Sequence, residues 1–294
     1  MSYQTGRHVH AIQECFQQWG QIQGGHTGAR WDLRSNNVPD LLLHAHAFED
    51  WLLIHADACG PVENLAPWEA LIWNGRIDGA ARLFFKLPEQ MIGVRAEIPL
   101  VDEGGIVPDL VATLAGFEQA ASLVQDPSSR ETNAESQPNH EESDQESGPT
   151  TAQFLVETGW PFTERARGSY MVELENKGDF YQALVETRPD GSHMTSVELV
   201  AQDTFECVSR EALALLLLTA SGVIRMVRPV VEDFNGRITA RFEIQFSAGA
   251  DAAFLDRVLS SLSVACRLCG REAAVLNNLR VAGKYLAVRN FTNE

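Results

Sequence analysis

The chain runs twice through a similar order of helical and strand patterns, from Val9 to about Gln125 and again from Thr151 to about Cys269. An acidic tract almost free of apolar residues lies between. Such a duplication constrains the fold more than any local motif. Each copy has to bury its own apolar surface, and the two must lie within reach of one another. At 294 residues there is room for two ordinary domains, each large enough for a core.

The copies follow one another element by element. In the first, Val9, Ile12, Phe16 and Trp19 form a helical stripe that Gly20 stops; in the second, a shorter helix over Ala152–Gly159 carries Phe154 and Leu155. Strands are expected over Trp31–Arg34, Leu41–Ala47 and Trp51–Ala58, the last two as a hairpin turning through Phe48, Glu49 and Asp50. Their counterparts are Tyr170–Leu174, Phe180–Thr187 and His193–Val200, turned by Pro189, Asp190, Gly191 and Ser192. A helix follows in each copy, Pro67–Asn74 and Ser209–Ser221, sharing the wording Glu-Ala-Leu. Pro67 suits a first helical turn and Ser209 an N-cap.

Two further strands come next: Arg82–Leu87 with Met91–Val101, and Arg225–Glu232 with Arg237–Phe246. Arg95-Ala96-Glu97-Ile98 lines up with Arg241-Phe242-Glu243-Ile244, and alternation at period two predicts one buried and one wet face. Each copy closes with an amphipathic helix, Pro108–Val124 and Asp251 to about Gly270. The expected class is α+β: two tandem copies of an antiparallel sheet packed with helices, in the order α-βββ-α-ββ-α, arranged as a pseudo-dimer. The domains are residues 1–125 and 151–294, the second with a C-terminal extension past Gly270.

Residues 126–150 hold seven acids against the single base Arg130 and almost nothing apolar. Such a segment cannot offset its ordering entropy and reads as a disordered linker, spanning roughly 25–30 Å as a coil. The whole chain carries a formal charge of −17, which repels phosphate backbones and argues against nucleic acid. A basic or neutral polypeptide, or no charged partner at all, fits that charge better. The longest apolar run, Ala212–Leu218, is too short to cross a membrane, and the opening residues lack a secretory apolar core. Five unevenly placed cysteines make no disulfide framework, so a cytoplasmic setting is expected.

The element order, the acidic surface and the paired units, with Glu69-Ala70-Leu71 against Glu211-Ala212-Leu213 and the two Arg-x-Glu-Ile strands, resemble the type III secretion chaperone-like fold and the related YbjN-like bacterial proteins. The resemblance implies a non-catalytic protein in which two fused protomers hold an extended client segment. It implies no cofactor and transfers no contact residue. The fusion and the tail beyond Gly270 depart from the small chaperones.

Among polar groups, His44, His46 and His55 stand out. A turn at Glu49–Asp50 would set residue 44 opposite residue 55 and send all three imidazoles to one face, the arrangement of a metal-binding or small-ligand sensory protein. The plainer alternative is three ordinary histidines on the wetter side of a sheet. Cys266 and Cys269 have redox or zinc spacing, but they lie on the apolar stripe of the closing helix with Leu255, Val258, Leu259 and Leu262, and core packing is the expectation. Arg95/Glu97 and Arg241/Glu243 read as solvated strand charges, or as a symmetric element across a pseudo-two-fold. Trp51, on the histidine face, could anchor a partner. Catalytic signatures for acyl transfer, zinc hydrolysis and phosphate binding are absent, so no catalytic, cofactor-binding or metal residue is assigned.

Overall fold

A computed structural model of the chain describes residues 3–23, 29–38, 40–48, 50–100, 106–125, 151–176, 179–188, 191–202, 205–234, 237–246 and 251–289. The expected linker, 126–150, lies outside these residues. So do Glu49, Pro189 and Asp190 of the two expected hairpin turns.

The first half contains α1 (Tyr3–Trp19), β1 (Gly20–Gln23), β2 (Arg30–Ser35), β3 (Leu42–Phe48), β4 (Trp51–Pro61), α2 (Pro67–Asn74), β5 (Arg82–Lys86), β6 (Met91–Pro99) and α3 (Ile106–Gln125). The second contains α4 (Thr151–Thr158), β7 (Phe162–Ala166), β8 (Ser169–Asn176), β9 (Asp179–Thr187), β10 (His193–Gln202), α5 (Cys207–Ser221), β11 (Arg228–Phe234), β12 (Arg237–Phe246), α6 (Ala252–Val275) and α7 (Leu279–Val288). Each half folds a six-stranded antiparallel sheet. The strand orders, β1-β2-β3-β4-β6-β5 and β7-β8-β9-β10-β12-β11, are the same path traced twice. Even the irregularity repeats, with a register shift between Ala56 and Gly60 in β4 and between Glu198 and Val200 in β10.

Each half therefore has four strands before its middle helix, where three were expected. The additional strands β1 and β7 are sheet edges of sequence GQIQ and FTERA, four and five residues long. An edge strand buries little, so it needs no apolar alternation and leaves no periodic signal.

One side of each sheet is its core. In the first half Leu52, Ile54 and Ala56 of β4 lie beside Val94, Ala96 and Ile98 of β6, all buried, beneath Ile12 and Phe16 of α1 and Leu114, Phe117 and Ala121 of α3. In the second half α6 covers the sheet with Leu255, Val258, Leu259 and Leu262. Asp251 caps that helix by accepting the Phe254 N–H at 2.7 Å. Beyond Gly270 the chain continues α6 to Val275, and α7 then packs against α5. Leu213 to Leu218 of α5 are buried without exception, because α5 is enclosed by both halves and by α7.

The middle helices are exchanged across the seam. Helix α5 lies against α2 and against β5 of the first half; α2 lies against β11 of the second. The ring of Phe84 fills the seam between Gly93 and Gly222, where an added Cβ would come within 2.5 and 2.7 Å of it respectively. No helix of the described residues is long and apolar enough to cross a membrane.

Candidate functional site

The seam is built around buried arginines. Arg82, at the start of β5, is fully buried and donates to the carbonyls of Ser221 (3.3 Å) and Ile224 (2.9 Å), just past the end of α5. Arg228, at the start of β11, donates to the carbonyls of Asn74 (3.3 Å) and Ile77 (2.9 Å), just past the end of α2, and to Gly79. A helix C-terminus leaves carbonyls without intrahelical partners. Each half supplies the guanidinium that satisfies those of the other.

Glu97 sits beneath this arrangement, 4% exposed, 2.8 Å from Arg82, paired also with Arg95, and accepting the Met226 N–H at 2.9 Å. Burial alone would raise its pKa. The charges of Arg82 and Arg95 and the hydrogen bonds from Arg82 and Met226 outweigh that and hold it below the usual carboxylate range. Its counterpart Glu243 is 3.3 Å from Arg241 and 3.9 Å from Arg228. The expectation that Arg95/Glu97 and Arg241/Glu243 are solvated strand charges is thus corrected. Both glutamates are buried, because the other half covers these ends of β6 and β12. Spacing alone could not reveal it, since the covering residues lie more than a hundred positions away.

A cleft of about 410 Å³ opens at the same seam, where Glu97, Ile98 and Pro99 meet Glu243, Ile244 and Gln245. Its buried ionic groups are engaged within the protein, Glu97 by Arg82 and Arg228 by backbone carbonyls.

The histidines lie on the face of the first sheet turned away from α1 and α3. His44 pairs directly with His55, as a two-residue turn between Phe48 and Trp51 requires, and their rings are 5.5 Å apart. The ring of His46 lies 6.0 Å from Phe48. Nδ1 of His44 is 2.7 Å from Asp32 Oδ1, a contact made possible by the pairing of Asp32 with His44 across β2 and β3. Burial lowers the pKa of His55; Asp57 opposes that shift, whereas His44, Arg95 and Lys86 add to it. Burial, then Arg30, lowers that of His46. The three imidazoles share a face without converging, and no group of three or more His, Cys, Asp or Glu positioned to hold a metal occurs among the described residues.

The same face carries apolar and aromatic side chains. Leu42 and Phe48, at the two ends of β3, are 40% and 48% exposed, and Leu53 and Trp51 are half-buried beside Phe48. Trp51 is not free: Arg257 of α6 lies over its ring at 5.7 Å and pairs with Asp50 at 3.1 Å. Sequence reasoning missed Leu42 and Phe48. Period-two alternation across β3 would have placed them on the histidine face.

The equivalent face of the second sheet differs. Register places Met171, Glu173 and Glu175 of β8 beside Phe180, Gln182, Leu184 and Glu186 of β9, with Met194 and Glu198 of β10 beyond them. Phe180 is 72% exposed. Cys266 and Cys269 are buried, with thiols pushed up to about 12 chiefly by burial, the state of packed core cysteines and not of a reactive thiolate pair.

No family model, curated protein or solved structure matches this chain.

Proposed function

We propose that the protein is a non-catalytic binding module that holds a segment of another polypeptide, in the manner of a secretion chaperone. The observation that carries this reading is the open face of the first sheet. Phe48 stands exposed there beside Trp51 and Leu53, and Leu42 stands exposed at the other end of β3, on a sheet whose other side is already packed by two helices. Large apolar side chains grouped on one surface mark a place where another chain can bury area. The repeated topology and the exchanged middle helices agree with the fused-dimer organisation that the resemblance implies.

A reduced, alkylated polypeptide that cannot fold serves as the test ligand, with binding followed by fluorescence anisotropy. Wild-type protein is expected to bind it, and Leu42→Asp/Phe48→Asp to bind at least about tenfold more weakly, a loss of ~1.4 kcal/mol. Wild-type protein that does not bind, or a double variant that binds as well, refutes the reading.

A further inference from the structure

We infer that the open face of the first sheet selects an extended polypeptide segment in which acidic residues stand beside large apolar ones. This inference rests on the polypeptide-binding reading and specifies the chemistry of the partner.

The argument is one of uncompensated charge. The chain as a whole carries −17, yet this face is locally positive. Arg30 and Arg34 project from β2 on the open side, both exposed, and neither makes an ion pair among the described residues. The acid between them, Asp32, is occupied by His44. Farther along the face, Asp57 is 3.0 Å from Lys86, and Arg95 is held by Glu97 and the Gly222 carbonyl. Asp32 keeps its carboxylate charge in that hydrogen bond, so this end of the face carries two unpaired guanidinium groups against one carboxylate and is positive in net.

Their position fixes what else a ligand must carry. Arg34 pairs across the sheet with Leu42, and Arg30 with His46, whose ring lies against Phe48. Arg34 thus borders the exposed Leu42, and Arg30 borders His46 next to Phe48. The two lie four positions apart along one strand, about 13 Å at ordinary strand rise. Extended segments present side chains of one face at the same spacing, so carboxylates four positions apart can reach both arginines while apolar residues at other positions of that same face cover Leu42 and Phe48. Arginine favours carboxylates through its planar fork of donors.

The second sheet supplies the contrast. Glu173, Glu175 and Glu198 are exposed and Glu186 half-buried on its open face, and none makes an ion pair among the described residues. That face repels an acidic segment, so one segment per chain is expected.

The test uses the full chain and three twelve-residue fluorescent peptides with identical apolar residues, carrying Glu, Ser or Lys at two positions four residues apart, with apolar residues at the other positions of that face. Binding is measured at low salt and at high salt. The Glu peptide is expected to bind at least about tenfold more tightly than the Lys peptide. Salt should narrow that advantage. Arg30→Glu/Arg34→Glu should abolish it and Arg30→Gln/Arg34→Gln should reduce it, with thermal melts unchanged in both variants. Equal or tighter binding of the Lys peptide, or a preference that survives both double variants, overturns the inference and leaves the polypeptide-binding reading standing. Failure of all three peptides overturns both. Concentration-dependent self-association that Arg30→Glu/Arg34→Glu removes would assign the face to the glutamate-bearing sheet of a second copy, and so overturn the stated partner.

Discussion

The two halves share a strand order and a bulge position, and both open faces expose a phenylalanine, yet the charges around it are opposite. The first presents Arg30, Arg34, three histidines, Leu42 and Phe48; the second presents four glutamates around Phe180 and Leu184. At the seam the reverse holds. Arg82 and Arg228 do the same work for opposite partners, down to the carbonyl three residues beyond the helix end, Ile224 in one case and Ile77 in the other. The arginines are alike where the halves fit each other, and the side chains differ on the faces the halves leave open. On the proposed function, the seam is the structural part of this molecule and the open faces are its selective part.

The sharpest way to break that division is at the seam. Arg82→Ala removes one of the two guanidinium groups that hold buried Glu97 and leaves the Ser221 and Ile224 carbonyls without that donor. A cost of about 3–5 kcal/mol is expected in urea unfolding, as for other broken buried pairs. Arg228→Ala should cost a similar amount if the halves are equivalent there. A difference well above 1 kcal/mol between the two variants would show that they are not.

A smaller effect distinguishes the open faces by pH. Burial lowers the His55 pKa below 6.5 in the folded protein. As pH falls through that value the unfolded chain takes up the proton first, so stability declines on acidification until the folded imidazole titrates too. Asp32, held by His44, and Asp57, Lys86, Arg95 and Glu97 are the charged groups facing this site. His55→Gln should make the urea midpoint less sensitive between pH 7.5 and 5.5, and an unchanged slope would place the titration elsewhere. The smallest effect belongs to the second face. Phe180→Ser removes a side chain that is 72% exposed and should shift stability by less than about 0.5 kcal/mol in the same measurement.

Much of this was legible in the sequence because periodicity reports burial. The stripe Leu255, Val258, Leu259, Leu262, Cys266 and Cys269 is buried throughout, and the hairpin register that sets His44 against His55 followed from a two-residue turn. What escaped was decided over distance. Glu97 looks like any strand glutamate until Met226 and Arg82 are placed around it, and GQIQ becomes a strand only by pairing with β2. The site was half visible: the histidines drew notice as possible ligands, whereas Arg30 and Arg34 are ordinary surface residues until their strand neighbours show them unmatched. The global charge of −17 is a sum over the chain, and it carries no information about the sign of any one face.

The reciprocal seam has a consequence for how this assembly behaves when dilute. Two separate chains joined by such contacts would obey mass action, dissociating as their concentration fell and exposing the carbonyls that Arg82 and Arg228 occupy. Joined in one polypeptide, the halves meet at an effective concentration set by the connecting segment, whatever the abundance of the protein. Two identical subunits would also present every substitution twice. Here a change on one sheet leaves the other as it was, so each molecule offers one arginine-bearing and one glutamate-bearing face in a fixed ratio of one to one.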